Sequence, residues 1–359
     1  MKLSHVRPAR LLVKFLAGIK NHLWLIFIVF AVSILVALGV VGYGYLIRFN
    51  VRPQNLLNFF GTPKDNLENT GGITNFLVLG IRGEGYESPD LSDTMILVSY
   101  NHENNTTSLI SIPRDLWVPS LKAKINTAYY YGEQASPGAG INFAQASVLE
   151  DLGQPIHYTA IVNFTLFTQA IDLVGGVDIE VNPGFSDTQF PIPGKEKALP
   201  ISSRYETISF SGGLNHLDGQ AALKFVRSRH SVGDEGTDFA RTNRQQQVIS
   251  ALRQKIINPG FLLDQKKVDV LLNIIGNNLK SNIGGDLYPT LAKLALDTKD
   301  KPIHTILLTD SPDKNGVTIL ENPPTSKYNG EWVLIPKDNN WNALKQYLKN
   351  ALTPQGQAL

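Results

Sequence analysis

The run KFVRSRHS, residues 224–231, places Arg227 and Arg229 two positions apart, directly after an apolar stretch. In extended backbone, side chains two apart lie on the same side of the chain. Two guanidiniums there repel one another unless an anion lies between them. The pattern returns in DFARTNRQQQV, residues 238–248, where Arg241 and Arg244 are three apart and share one face of a helix. Arg114, in IPRD, ends a strand-like run. Arginine offers a planar fork of donors that matches phosphate oxygens, and it stays charged. Several arginines converging on one cleft would fit a pyrophosphate. The alternative is surface ion pairing with Asp234, Glu235 and Asp238, the commoner use of any single arginine.

Carboxylates supply the opposite charge. Asp90 and Asp93 fall in the loop RGEGYESPDLSD, after the first predicted strand, where α/β folds place ligands. A hard ion such as Mg²⁺ takes one or two carboxylates and completes its shell with water and phosphate oxygens. The same SDT triplet also reads as a turn or capping element, and both readings stand. Other chemistries find no support. The chain has no Gly-x-Ser-x-Gly elbow, no His-Glu-x-x-His and no phosphate-cradling Gly-Lys-Ser/Thr loop. Its seven histidines show no metal-ligand spacing, and the absence of cysteine excludes thiolate, disulfide and Cys-zinc chemistry.

The elements that must position these groups follow from hydrophobic period. ITNFLVLGI reads as a buried strand. TMILVSY and TTSLISI, separated by NHENN, read as a hairpin running into Pro113-Arg114-Asp115. Residues 141–152 form a predicted helix stopped by Gly153. HYTAIVNF is a strand, residues 166–174 a helix closed by Gly175-Gly176, and VDIEV a strand. Alternating strands and helices predict a layered α/β domain. Residues 182–213, rich in Pro, Gly and Ser, are expected to be a surface loop, and Asp218 to cap a short helix leading into the RSR run. A long helix spans 239–257. VDVLLNIIGNNL and LYPTLAKLAL are further helices, IHTILLT and EWVLI strands, and 341–352 a closing helix.

Residues 23–47 hold no charge and no histidine. At ~1.5 Å per residue this run reaches roughly 37 Å, enough to span a bilayer with some tilt. Lys2, Arg7, Arg10, Lys14 and Lys20 precede it with no acid, which places the N-terminus in the cytoplasm and the rest of the chain outside. Those five residues dominate the net charge of +2: without them, 28 basic residues face 31 acidic ones, a balance of −3. A nucleic-acid binder is usually basic over its folded part, so the arginines are a local device. The predicted organisation is a tail (1–22), an anchor (23–47), a linker (48–72), one extracytoplasmic domain (73–352) and a frayed end (353–359).

Taken together, SDTMILVSY, SLISIPRDLWV, KINTAYYYG, VNF, VGGVDIEV, LDGQAALKFVRSRH and DFARTNRQQQV resemble the LytR–CpsA–Psr family, in order across residues 74–257. The resemblance implies a three-layer α/β/α sandwich with a mixed central sheet, preceded by one transmembrane helix. It implies a bacterial, membrane-anchored phosphotransferase. Such an enzyme moves a glycopolymer from a polyprenyl-pyrophosphate carrier to peptidoglycan through a phosphodiester, with Mg²⁺. By motif, Asp93 is then a metal ligand. Arg114, Lys124, Arg227, Arg229, Arg241 and Gln245 are pyrophosphate contacts, Arg114 and Arg241 also being catalytic. Asp238 orients or deprotonates the acceptor hydroxyl. Arg244 joins the pyrophosphate set through its shared face with Arg241.

Two positions depart from the family pattern. Gly80-Ile81-Arg82 stands where Gly-x-Asp is usual, and Leu91 where an arginine precedes SDT. Arg82 is the candidate to restore the positive charge, and Asp90 or Glu84 the carboxylate. Two rival functions use the same residues: hydrolysis of lipid pyrophosphates, and non-catalytic binding of anionic glycans or lipids at the membrane.

Overall fold

Alternation along ITNFLVLGI makes β1 (Ile73–Ile81), with Leu77, Leu79 and Ile81 on one buried face. β2 (Ser92–Asn101) and β3 (Thr106–Ile112) form the expected hairpin, antiparallel to each other and, through β2, to β1. Met95, Leu97, Ile110 and Ile112 continue the same apolar face. Gly80 lies opposite Thr94, whose Cβ would stand 3.0 Å from a Cβ added there, so the close strand approach favours glycine.

A computed structural model describes residues 61, 63–299, 301–310 and 318–353, without the side chains of 238 and 239. The tail and anchor expected at 1–47, linker residues 48–60 and the end residues 354–359 lie outside the described residues. No described helix is long and apolar enough to cross a membrane. Among the described residues, 63–283 and 293–353 fall in one compact unit and 284–292 outside it. Residues 63–72, read as linker from their composition, are folded. Pro63–Asn66 is one helical turn, Leu67 is buried, and the Glu68 backbone N–H donates to the Tyr158 hydroxyl at 2.8 Å.

After β3 come α1 (Ala128–Ala135) and α2 (Gly140–Leu152), the latter capped by left-handed Gly153 at φ 65°. β4 (Tyr158–Asn163) runs parallel to β1. α3 (Phe164–Leu173) starts at Asn163, whose side chain accepts from Leu166 N. β5 (Val177–Val181) leaves the main sheet. The expected surface loop at 182–213 is instead a hairpin of β6 (Phe185–Pro191) and β7 (Tyr205–Phe210), followed by β8 (Gly213–Leu217), which pairs with β5. Its Pro and Gly mark only the ends and the tip; between them Phe185, Phe190, Ile208 and Phe210 turn inward.

Asp218 caps α4 (Gly219–Arg227) as expected, accepting from Ala221 N. α5 (Asp238–Ile256), α6 (Gln265–Asn278) and α7 (Tyr288–Asp297) follow, with the two-residue strand β9 (Lys280–Ser281) between the last two. β10 (Ile303–Leu307) pairs parallel with β3. Within and just after EWVLI, Ile335–Pro336 pairs with Leu320–Glu321, and Leu334 bridges to Leu116. α8 (Trp341–Ala351) closes the chain. The central sheet has the order β9-β4-β1-β2-β3-β10 and is mixed.

Two cores result. In the first, the β1–β3 face packs against Ala144, Val148 and Leu152 of α2 and Leu344 and Leu348 of α8. Each fully buried leucine there contributes about 1.5–3 kcal/mol of transfer free energy. In the second, Ile171, Ala222, Phe225, Val226 and Val248 pack against β5, the β6–β7 hairpin and Leu217 of β8. The inward residues of α2 and α3 go one set to each core. α5 also meets the main sheet at β2, where Gln245 Nε2 donates to Thr94 Oγ1 at 3.1 Å.

Candidate functional site

The register between β1 and β2 slips at one point. Gly80 pairs with Thr94 but Ile81 pairs with Ser92, so Asp93 is the extra residue of a bulge. Bulges re-aim side chains, and here the carboxylate meets two guanidiniums. Asp93 Oδ2 accepts from Arg82 Nε at 2.8 Å, and Oδ1 from Arg114 Nη1 at 2.7 Å. Burial pushes the Asp93 carboxyl up, but Arg82 and Arg114 outweigh it and hold it below the usual carboxylate value. Arg114 Nε reaches Asp115 at 3.3 Å, and Asp115 takes Lys124 Nζ at 2.8 Å. The result is an alternating chain, Arg82–Asp93–Arg114–Asp115–Lys124. Burial pulls the Arg114 pKa down, yet its two acidic neighbours leave it raised, so this cation is permanent.

Arg227 stands beside this chain on different terms. It is the last residue of α4 rather than part of an extended RSR strand. Its guanidinium lies over the Phe164 ring at 4.7 Å and the Phe190 ring at 5.1 Å. Among the described residues it makes no hydrogen bond and no ion pair. Burial lowers its pKa first; Asp93 opposes this and Arg82 adds to it, which places all three within one electrostatic field. Aromatic faces hold a guanidinium without consuming its donors. Arg227 therefore presents its hydrogen-bond donors ready for an acceptor.

The turn after Arg227 is fixed from below. Asp187 of β6, fully buried, accepts from Ser228 Oγ at 2.9 Å, Arg229 N at 3.0 Å and His230 N at 3.1 Å through one oxygen, and from Gln189 N at 2.9 Å through the other. Desolvation raises its pKa, but these donors more than reverse that and leave it lowered. Arg229 is exposed. Arg244 behaves unlike its neighbours: it is 3% exposed and spends its donors on the protein. Its Nε donates to Phe225 O at 3.1 Å, Nη2 to Ser228 O at 2.6 Å, and Nη1 to Glu235 O at 3.0 Å and Oε2 at 2.8 Å. It buttresses the RSR turn from behind.

The structure thus joins Arg82, Asp93, Arg114, Lys124 and Arg227 in one cluster. Arg241 and Gln245 line a cavity of about 70 Å³ together with Asp93 and Arg114. Arg244 lies outside that group. Asp90 points its influence elsewhere: after burial and Glu133, its charge helps raise the Tyr129 phenol. Asp238 opens α5, but its side chain is outside the described residues. Sequence reasoning missed Asp115, Asp187 and the two phenyl rings. Only the alternation of FSDTQFP and YETISF signalled the hairpin that carries Asp187 and Phe190.

For Mg²⁺, the donor set fails a simple fit. Asp93 and Asp115 are the carboxylates of the cluster, and the oxygens of both already pair with cations, Arg82 and Arg114 for one, Arg114 and Lys124 for the other. No group of three or more acidic, His or Cys residues able to hold a metal occurs among the described residues. Arg82 occupies the sequence position at which a second carboxylate would serve.

Comparison with known proteins agrees with this layout. A model of the LytR_cpsA_psr family matches residues 55–350. The polyisoprenyl-teichoic acid–peptidoglycan teichoic acid transferase TagU of Bacillus cereus is 32% identical over 214 residues, 58% of this chain and 60% of its own length. The transferase of the same description, TagV of Bacillus subtilis, is 28% identical over 305 residues, 80% of this chain and 70% of that one. The crystal structure of B. subtilis TagV matches the fold with a TM-score of 0.53 at 25% identity, covering 80% of this chain and 100% of that chain. With a family model spanning the described domain and the motif residues gathered where β1, β2 and β3 end, this chain belongs to the LytR_cpsA_psr family.

Proposed function

We propose that this protein is a membrane-anchored phosphotransferase that moves a glycopolymer from a polyprenyl-pyrophosphate carrier to peptidoglycan. The observation that carries the proposal is Arg227, stacked between two phenyl rings without an ion partner among the described residues, beside the Arg82–Asp93–Arg114 chain. A desolvated guanidinium of this kind calls for an oxyanion whose two oxygens its planar fork can grip, as phosphate offers. The substrate class comes from relatives named as polyisoprenyl-teichoic acid–peptidoglycan teichoic acid transferases.

In the proposed reaction, an acceptor hydroxyl oxygen attacks the glycan-bearing phosphorus. The bond from that phosphorus to the bridging oxygen breaks, prenyl monophosphate leaves, and the hydroxyl proton goes to a base. Phosphoryl transfer asks a protein mainly for positioning and charge neutralisation. Arg227, Arg114 and Arg241, with Arg229 and Lys124 at the margins, hold the phosphates, and Gln245 ties α5 to β2 behind them. Asp238 is assigned the acceptor proton. Neutralisation, which the family resemblance gives to Mg²⁺, falls here to Arg82 and Arg114, and no step is routed through a metal.

The anchor at 23–47 keeps the site at the membrane surface from which a prenyl carrier is presented. Protease added outside intact cells should degrade the domain and spare the N-terminal tail; protection of the C-terminus until lysis overturns that topology. The activity itself is tested with a labelled prenyl-pyrophosphoryl glycan, incubated with and without peptidoglycan. Label joined to peptidoglycan supports transfer. Release that ignores peptidoglycan supports lipid pyrophosphate hydrolysis, and no turnover supports a binding module.

A further inference from the structure

Trp332 has no part in the pyrophosphate cluster, yet it stands on the wall of the cavity that Asp93, Arg114 and Arg241 line. It is 46% exposed, an unfavourable state for so large an aromatic surface. The chain beneath it is firmly held. Val333 and Ile335 are buried against Trp117, and Tyr328 packs edge-on to the Trp117 ring at 5.0 Å. Leu334 N donates to Asp115 O at 2.9 Å, Trp117 N donates to Leu334 O at 2.9 Å, and Asn322 Nδ2 donates to Val333 O at 2.7 Å. Trp332 is therefore carried on the same backbone ladder that supports Arg114 and Asp115. A rigid mount and an exposed indole together indicate a surface kept for contact.

Leu307 at the end of β10, Leu308 just after it and the exposed carboxylate of Asp310 line the same cavity. An indole, apolar side chains and one acceptor suit a pyranose. Such a ring has C–H bonds on its flat faces and hydroxyls around its edge, so it stacks on an aromatic plane while its hydroxyls donate to a carboxylate. Pockets that bind small molecules combine aromatic area with a few placed polar groups in this way. A prenyl chain would not use the carboxylate, and a bare phosphate would not use the indole.

We propose that Trp332 and Asp310 form a sugar subsite next to the reacting phosphorus, with Trp332 the stacking platform. The proposal rests on the transferase reading and adds to it the place where a hexose ring lies. That ring belongs either to the donor glycan or to the peptidoglycan acceptor; the chemistry is shared, and binding measurements separate the two sources.

The test uses the full chain in detergent and three probes: geranyl pyrophosphate, geranyl-pyrophosphoryl N-acetylglucosamine, and a peptidoglycan disaccharide peptide. Trp332→Ala should weaken one of the two sugar probes by at least ~10-fold while geranyl pyrophosphate binds within about twofold of wild type. Whichever sugar probe suffers names the source. Trp332→Phe should recover part of the loss, and Asp310→Asn should give a smaller one with an unchanged melting midpoint, which separates binding from folding. Equal affinity of both sugar probes for wild type and Trp332→Ala overturns the subsite, as does failure of wild type to bind either. If geranyl pyrophosphate alone fails to bind wild type, the pyrophosphate reading falls while the subsite stands.

Discussion

Arg227 and Arg244 are alike in residue type and surroundings, and opposite in use. Each guanidinium lies over two phenyl rings, Phe164 and Phe190 for one, Phe185 and Phe225 for the other. Burial lowers the pKa of both. Arg244 makes four hydrogen bonds between 2.6 and 3.1 Å to the protein, and Arg227 makes none among the described residues. The difference separates an arginine that completes a fold from one that awaits a ligand. Motif content does not reveal it; the fate of the donors does.

The largest effect should come from the arginine that does no chemistry. Arg244→Ala strands Glu235, two further carbonyls and the Ser228 carbonyl at the back of the RSR turn. Removing one partner of a buried pair costs ~3–5 kcal/mol, and chemical denaturation should show a loss of that order. A cost below ~1 kcal/mol, the range of exposed pairs, would mean that Arg244 is not the buttress and would dissolve the contrast with Arg227.

Arg227→Lys probes the other side. It keeps the charge and removes the bidentate fork. Turnover of a prenyl-pyrophosphoryl glycan should fall by at least ~10-fold, or ~1.4 kcal/mol. The melting midpoint should hold, because no hydrogen bond to the protein is lost. Wild-type kinetics in this variant would make Arg227 a mere cover for Phe164 and Phe190.

Much of this was legible in the sequence, and the failures have physical causes. β1 to β5 with α2 and α3, and then α4 and α5, follow from alternation and helical period, and the cap at Asp218 lies where its residue type requires. PRD and RSR marked the cluster. Which arginine becomes the buttress was not legible. Arg241 and Arg244 share a helix face by spacing, and only the tertiary wrap of Phe225, Ser228 and Glu235 around Arg244 decides between them. The 182–213 region was misread because composition was weighed above alternation, and β6 is itself broken by a register shift between Asp187 and Phe190. Asp93 was singled out as a carboxylate of the site, but its bulge was not foreseeable, since one skipped residue leaves no mark on the local pattern.

Arg82 extends the comparison to the metal question. It donates to Asp93 at 2.8 Å from the place where a second carboxylate would stand. Arg82→Asp replaces that donor with a hard-oxygen ligand and should tighten Mn²⁺ binding, read by electron paramagnetic resonance, by at least ~10-fold over wild type. Asp93→Asn in the same background should abolish the gain. Equal Mn²⁺ affinity in wild type and Arg82→Asp would show that Arg82 does not stand in the ion's place.

Asp151 tests the logic from the acidic side. It lies on α2, fully buried, and neither carboxylate oxygen has a hydrogen-bond partner in the described structure. An arginine cannot shed its charge in such a setting, so Arg227 must find an anion; an aspartate can take up a proton instead. Burial, reinforced by Glu150 and opposed by Lys345, pushes the Asp151 pKa up to about 9. Its unfolded value is near 3.8, so across the window between them the unfolded state is ionised while the folded state holds a proton. The folded form binds more protons there, and stability must fall as pH rises. Stability of the wild type should therefore fall between about pH 5 and pH 8 by on the order of 1 kcal/mol per pH unit more than that of Asp151→Asn, which carries no titrating proton. If the two pH profiles coincide, Asp151 is ionised in the fold. A buried charge would then be tolerated without a partner, and the absence of one at Arg227 would no longer point to a bound anion.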